Sequence, residues 1–277
     1  MQVVEAHGAR IPAIGLGTMK LKGDLAIEMV AAALQLGYRH LDTAASYGNE
    51  REVGEGLRAS GIAREQVFIT TKVRHTELKN GDFERSVEKS LAALQLPFVD
   101  LLLIHWPNPS VPLSDTMARL CKAKRAGQAR HIGVANFPVA LLDEAAKHAD
   151  EPLVTNQIEV HPFLDQSKVI FACKRHGMAV TAYSPIARGR VPESDALERV
   201  GKAHGKNAAQ VSLRFLVQQG LAAIPRTSSR EHLKQNFEIF DFALSDAEMA
   251  EIAKLKRPDG RVAVRRTRRN GTAEGTS

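Results

Sequence analysis

Only two cysteines occur in 277 residues, Cys121 and Cys173, and both lie inside stretches of helical periodicity. They form neither a CxxC pair nor a disulfide framework, which fits a reducing compartment and predicts a cytoplasmic address. No apolar run approaches the roughly 18 residues of a membrane span and no signal peptide opens the chain, so no membrane partner is expected. P-loop and HExxH motifs are lacking too. Gly15-Leu16-Gly17 is followed by Thr18-Met19-Lys20, leaving the GxGxxG fingerprint incomplete; a nucleotide, if bound, must be held some other way. Nor does any Pro/Gly/Ser-rich linker divide the chain, so one large α/β domain is favoured over two small ones.

The net charge of +7 does not belong to the body of the chain. Between Lys254 and Arg269 stand eight Lys/Arg and one Asp, which leaves 30 basic and 30 acidic residues elsewhere. The surplus therefore sits in a C-terminal segment, expected as a basic, disordered tail over 261–277, and no specific nucleic-acid partner is expected. With 44% hydrophobic and 25% charged residues, the remainder has the composition of an ordinary soluble globular protein.

What the chain does have is alternation. A short hairpin around Gly8 precedes eight apolar runs, at 14–17, 38–41, 67–71, 99–104, 131–134, 155–158, 179–182 and 222–224. Helical periodicity occupies 25–36, 50–59, 83–94, 114–126, 138–148, 166–176 and 208–219. Eight strands each followed by a helix-like stretch predict a (β/α)8 TIM barrel over residues 1–260 with an N-terminal β-hairpin; a doubly wound sheet is the alternative.

Barrel enzymes carry their chemistry where strands end, and three consecutive runs end in ionisable residues: Asp42, Lys72 and His105. Strands lie about 4.8 Å apart, so these groups can converge, with Tyr47 joining from the loop five residues beyond Asp42. Each has a plainer role available: a turn-capping Asp, a Tyr packed on the rim, a solvated Lys, a core His. Together they would make four coincidences at matching strand ends. A reaction that builds negative charge on an oxygen needs a proton donor to meet it. A free phenol, with a pKa near ~10, donates sluggishly at neutral pH. An ammonium about 4 Å away contributes roughly 4 kcal/mol, or about three pK units, toward phenolate at an effective dielectric of ~20. Tyr47 is thus expected as general acid, tuned by Lys72, which Asp42 holds charged, while neutral His105 orients the substrate.

The stretch GYRHLDTAASYGNEREVG at 37–54, with Ile69-Thr-Thr-Lys72, Leu103-Ile-His105-Trp106-Pro107, Gly133-Val-Ala-Asn136-Phe, Thr155-Asn-Gln157 and Ile224-Pro-Arg-Thr-Ser-Ser, resembles an aldo-keto reductase. The order and spacing match over about residues 3–260, and the short bacterial 2,5-diketo-D-gluconate reductases are the most similar branch. The resemblance implies a nicotinamide cofactor, NADPH, and a small-molecule carbonyl substrate for a monomeric enzyme. It places the nicotinamide on Tyr183 and Ser184, with its carboxamide on Asn136 and Gln157; Ala135 stands where the family commonly has Ser. It places the 2'-phosphate on Arg226, Thr227, Ser228 and His232, at a helix start read from the Ser228 to Glu231 capping-box spacing, and the adenine on Gln235 and Asn236. Arg226 and Thr227 replace the usual Lys and Ser, and His232 a frequent Arg. Met19, Arg74 and Trp106 are expected beside Tyr47 and His105 at the substrate, with Arg74, if it faces inward, favouring anionic keto-sugar acids. Two other classes remain open: a nicotinamide-binding sensor or partner subunit with incidental turnover, and a Schiff-base lyase acting through Lys72.

Overall fold

Short β-branched runs alternating with amphipathic helices can bury both faces of a parallel sheet only by wrapping the helices outside it. The structure, a computed structural model, describes residues 2–263. The hairpin comes first, as β1 (Val3–Ala6) and β2 (Ala9–Pro12), paired antiparallel. Its Ala6, Ala9 and Ile11 pack with Leu101, Val154, Ala179 and Ala222, so it plugs the end where the barrel strands begin.

Eight parallel strands follow in sequential order: β3 (Leu16–Gly17), β4 (His40–Asp42), β5 (Phe68–Val73), β6 (Val99–Ile104), β7 (Ala129–Ala135), β8 (Leu153–Glu159), β9 (Ala179–Tyr183) and β10 (Ala222–Ala223). The first and last close on each other: Ile14 bridges Ala223, and the amides of Gly15 and Gly17 donate to the carbonyls of Ala223 and Pro225. Gly17 is needed at this seam, because a Cβ there would lie 2.8 Å from the Ile224 carbonyl oxygen. The expected (β/α)8 barrel with its hairpin is the observed fold.

Helices α1 (Gly23–Leu36), α2 (Glu50–Ala59), α3 (Asp82–Leu94), α4 (Leu113–Arg125), α5 (Val139–His148) and α6 (Ser167–Arg175) follow β3 to β8 in turn. After β9 the chain makes α7 (Asp195–His204) before α8 (Ala208–Gln218), and after β10 come α9 (Arg230–Phe237) and α10 (Asp246–Ala253). Neither α7 nor α10 was among the helices expected. Both carry readable signals: Leu197, Val200 and Gly201 form the buried stripe of α7, and Ser245 with Glu248 makes a reciprocal capping box at α10. The start of α9 also shifts, since Ser229 rather than Ser228 caps it by accepting from the His232 amide. Tyr38, expected in a strand, instead lies fully buried below α9, its hydroxyl donating to the Leu233 carbonyl 2.9 Å away.

Among the described residues, no helix is long and apolar enough to cross a membrane. Of the basic segment expected from 261 onward, residues 261–263 are described and lie against the barrel; 264–277 fall outside the described residues.

Candidate active site

Strand pairing sets Gly17 level with Asp42, Asp42 with Thr70, and Lys72 with Leu103, which steps the ends of β4, β5 and β6 around one mouth. Side chains alternate along β5, so Thr71 turns out toward Glu50 of α2 while Lys72 turns into the barrel. Lys72 is 1% exposed, and all three of its N–H bonds are directed. They point to Asp42 Oδ1 at 2.5 Å, the Thr43 carbonyl at 2.7 Å and Tyr47 Oη at 3.5 Å. Asp42 takes a further bond on Oδ2 from Gln157 Nε2 at 2.7 Å. His105 lies edge-on to Tyr47, with ring centres 5.7 Å apart, and its Nδ1 is 3.2 Å from Ser46 Oγ.

The loop carrying Tyr47 is held from below. Asn49, fully buried, donates to the carbonyls of Thr18 and Leu21 and accepts from Thr43 Oγ1. Lys22 donates to the carbonyls of Tyr47 and Gly48, and Arg74 to that of Ala45. Arg74 is therefore a brace for the loop: it does not line the cavity, and the substrate contact expected of it gives way to a backbone contact. Glu50, at the start of α2, is buried and accepts from Thr71 and Ser90.

Burial and charge act against each other here. Burial raises the Tyr47 pKa above its ordinary value, and the Lys72 ammonium, which pulls it down, does not overcome that. The expectation of a phenol tuned toward phenolate is thus reversed in direction. Asp42 adds to the rise and, lying closer to Lys72 than the phenol does, mutes its field. Burial opposes charge on Lys72 as well, yet Asp42 and Tyr47 raise its pKa overall and keep it an ammonium. His105 is driven down to about 3 by burial, with Lys72 adding to the effect, so it is a neutral imidazole at neutral pH.

Above these groups opens a cavity of about 550 Å³. Of the expected site residues, Met19, Asp42, Tyr47, His105, Trp106, Asn136, Gln157, Tyr183, Ser184 and Arg226 line it. The whole chain between Ala13 and Arg257 matches the model of the aldo/keto reductase family. The chain belongs to the aldo/keto reductase family. It is 40% identical over 254 residues to a glyoxal reductase of Bacillus subtilis strain 168, covering 91% of this chain and 92% of that one. A methylglyoxal reductase DkgB of Escherichia coli O157:H7 is 38% identical over 248 residues, covering 88% and 93%. Among solved structures, one provisionally described as a 2,5-diketo-D-gluconic acid reductase B superposes with a TM-score of 0.94 at 46% identity, covering 96% of this chain and 95% of that one. As a family member the chain is an oxidoreductase for carbonyl compounds, and the family's enzymes use nicotinamide cofactors.

The residues present fit such a cofactor. Tyr183, half-buried at the end of β9, presents its ring to the cavity while its hydroxyl donates to Asn136 Oδ1 at 2.8 Å. Asn136 in turn donates to the His105 carbonyl at 2.9 Å, and Gln157 commits Nε2 to Asp42, which leaves Gln157 Oε1 to receive an amide. At the other end, Arg226 is exposed at the cavity wall with no ion-pair partner among the described residues. Thr227 is buried, its hydroxyl in a turn with the backbone of Ser229, and Ser228 and His232 are exposed at the start of α9. Arg230 pairs with Glu28 of α1 at 2.7 Å. Gln235 bonds Asn207 and Glu231, and Asn236 is buried; neither lines the cavity. Lys20 and Arg188 do line it and were missed from sequence, since each sits in a loop at positive φ with no motif to mark it.

Proposed function

We propose that this protein reduces small aldehydes and ketones, 2-oxoaldehydes foremost, to alcohols with NADPH, Tyr47 acting as general acid. The observation that carries the reading is the chain of contacts from Asp42 through Lys72 to Tyr47 on the cavity floor, with neutral His105 beside it. When bound, the reduced nicotinamide supplies a hydride to the carbonyl carbon. Tyr183 offers a flat, fixed face for the ring, and Gln157 and Asn136 orient its carboxamide. Arg226, with the free amides at the start of α9, attracts the 2'-phosphate.

The protein's own part is proton management. Tyr47, like any phenol, is protonated at neutral pH, and burial raises its pKa further, so the acid stays loaded. An alkoxide is far more basic than a phenolate, so transfer from Tyr47 Oη to the carbonyl oxygen runs downhill once charge develops there. Lys72 then lies 3.5 Å from the phenolate formed, with its charge already secured by Asp42. In the tautomer whose Nδ1 accepts from Ser46, Nε2 of His105 carries the proton and is the donor toward the substrate oxygen. The Schiff-base alternative fits poorly, because Lys72 is buried and its three donors are engaged.

The relatives named for glyoxal and methylglyoxal support a small, uncharged substrate. For keto-sugar acids, Arg188 and Lys20 at the cavity replace Arg74 as cations available. A substrate panel followed by NADPH absorbance tests the assignment. Sustained oxidation of NADPH with methylglyoxal is expected, and slower oxidation of NADH; no turnover with any aldehyde, ketone or keto acid would overturn it.

A further inference from the structure

Glu159, the last residue of β8, is 0% exposed and stands level with Tyr183 of β9, yet no step above uses it. Its carboxylate receives the amides of two successive residues from the far end of the chain, Val262 at 2.6 Å and Ala263 at 2.9 Å. A third bond comes from His161 Nε2 at 3.0 Å, and the Arg261 guanidinium lies 3.8 Å away. Burial by itself would raise the pKa of this carboxyl, but the bonds from His161, Val262 and Ala263 outweigh it and hold the group below its ordinary value, so it is charged.

The segment it holds reaches the site. Ala263 lines the same cavity as Tyr47, His105 and Trp106. Just before it, the Arg257 amide donates to the Phe163 carbonyl, the Arg257 guanidinium covers the Phe163 ring at 4.7 Å, and Arg190 donates to the Asp259 carbonyl. At Gly260 the two backbones come so close that a Cβ would lie 1.9 Å from the Phe163 oxygen, so only glycine fits. Residues 257–263 are thus fastened at both ends, on Phe163 and on Glu159, with their last residue forming cavity wall.

We propose that Glu159 is a positioning residue for substrate selection: by gripping the amides of Val262 and Ala263 it holds the end of this segment as the wall that restricts the cavity to small carbonyl compounds. The selectivity part rests on the reductase reading given above, whereas the grip itself does not. A buried carboxylate suits the task because two backbone N–H groups and a histidine give it hydrogen bonds, with the Arg261 guanidinium adding charge at 3.8 Å.

Two arms test this on the full chain. Trypsin cleavage after Arg261, followed by mass spectrometry, reads the grip: Glu159→Gln keeps the shape but has one accepting oxygen in place of two, and is expected to be cut there at least tenfold faster than wild type. The ratio of kcat/KM for methylglyoxal to that for a bulky aromatic aldehyde reads the wall, and is expected to fall at least tenfold, mainly through KM. In a chain ending at Asp259 the ratio is expected to be low already and unmoved by Glu159→Gln. Val262→Pro removes one amide and leaves the strand untouched. The Arg–Pro bond it creates resists trypsin, so it is read by the selectivity ratio alone, which is expected to fall as in Glu159→Gln and keeps the proposal testable if Glu159→Gln fails to fold. Unchanged cleavage at Arg261, or an equal effect of Glu159→Gln with and without the segment, would overturn the proposal. Absence of turnover in wild type would instead sink the reductase reading and leave the cleavage arm to decide the grip.

Discussion

Lys72 keeps its charge in a fully buried position because Asp42 is buried with it. Removing the carboxylate alone strands an ammonium, a change that costs about 3–5 kcal/mol in comparable buried pairs. Asp42→Ala is therefore expected to lower stability to urea by about that much, and Asp42→Ala with Lys72→Met to regain most of it. Purely additive losses would contradict the pairing. His105 gives a second prediction. Its pKa is about 3 in the folded chain and near the ordinary 6.5 when unfolded, so below 6.5 the unfolded chain takes up a proton that the folded one refuses. Its contribution is whole above that pH and lost as pH falls toward 3. His40, lowered chiefly by burial, has the same sign. Urea midpoints measured between about pH 7 and pH 5 should fall, and His105→Asn should flatten the fall. At this scale the sequence was informative where a strand end delivers a side chain, as for Asp42, Lys72 and His105. The pKa direction of Tyr47 was not legible, since burial outweighs a neighbouring charge only once the surroundings are known. Arg74 was misplaced because a long side chain can turn either into the mouth or along the loop, and the Ala45 carbonyl captured it.

The loop between β4 and α2 shows how an element can be regular in pattern and still depend on remote partners. Gly48 and Asn49 read as turn residues, and a turn is present, but Asn49 also ties that loop to the one after β3 through Thr18 and Leu21. Asn49→Ala takes the partner from the Leu21 carbonyl and the Thr43 hydroxyl and one of two donors from the Thr18 carbonyl, which keeps the Leu21 amide, a loss of about 1–3 kcal/mol. Displacing Tyr47 in this way is expected to lower kcat about tenfold to a hundredfold while the affinity for NADPH, followed by Trp106 fluorescence, changes little. A variant with wild-type kcat would show that the loop holds its shape without Asn49. Helices with a strong apolar stripe were placed to within a residue or two, α2 without error. The shift at α9 arose because Ser228 and Ser229 both precede acids and polar residues, and only the backbone geometry chooses the cap.

For the whole molecule, eight parallel strands and their closing into a barrel were expected from alternation and strand number, but the contacts that make the seam were not legible. Closure depends on Gly17 meeting Ile224 across the full length of the chain, a contact no local pattern announces. The same holds for the grip of Glu159 on Val262 and Ala263, which lie more than 100 positions away and present only backbone amides to it. The charge surplus, by contrast, was located from counting alone, and four of its eight basic residues follow Ala263. The account as a whole stands on proton delivery from the phenol on the cavity floor. Its most direct test is a single turnover of NADPH and methylglyoxal in wild type and Tyr47→Phe, with NADPH binding measured on both. The predicted result is a loss of about a hundredfold or more in the rate of nicotinamide oxidation at unchanged NADPH affinity. A Tyr47→Phe rate within about threefold of wild type would contradict it, because a group whose loss costs so little cannot be the general acid.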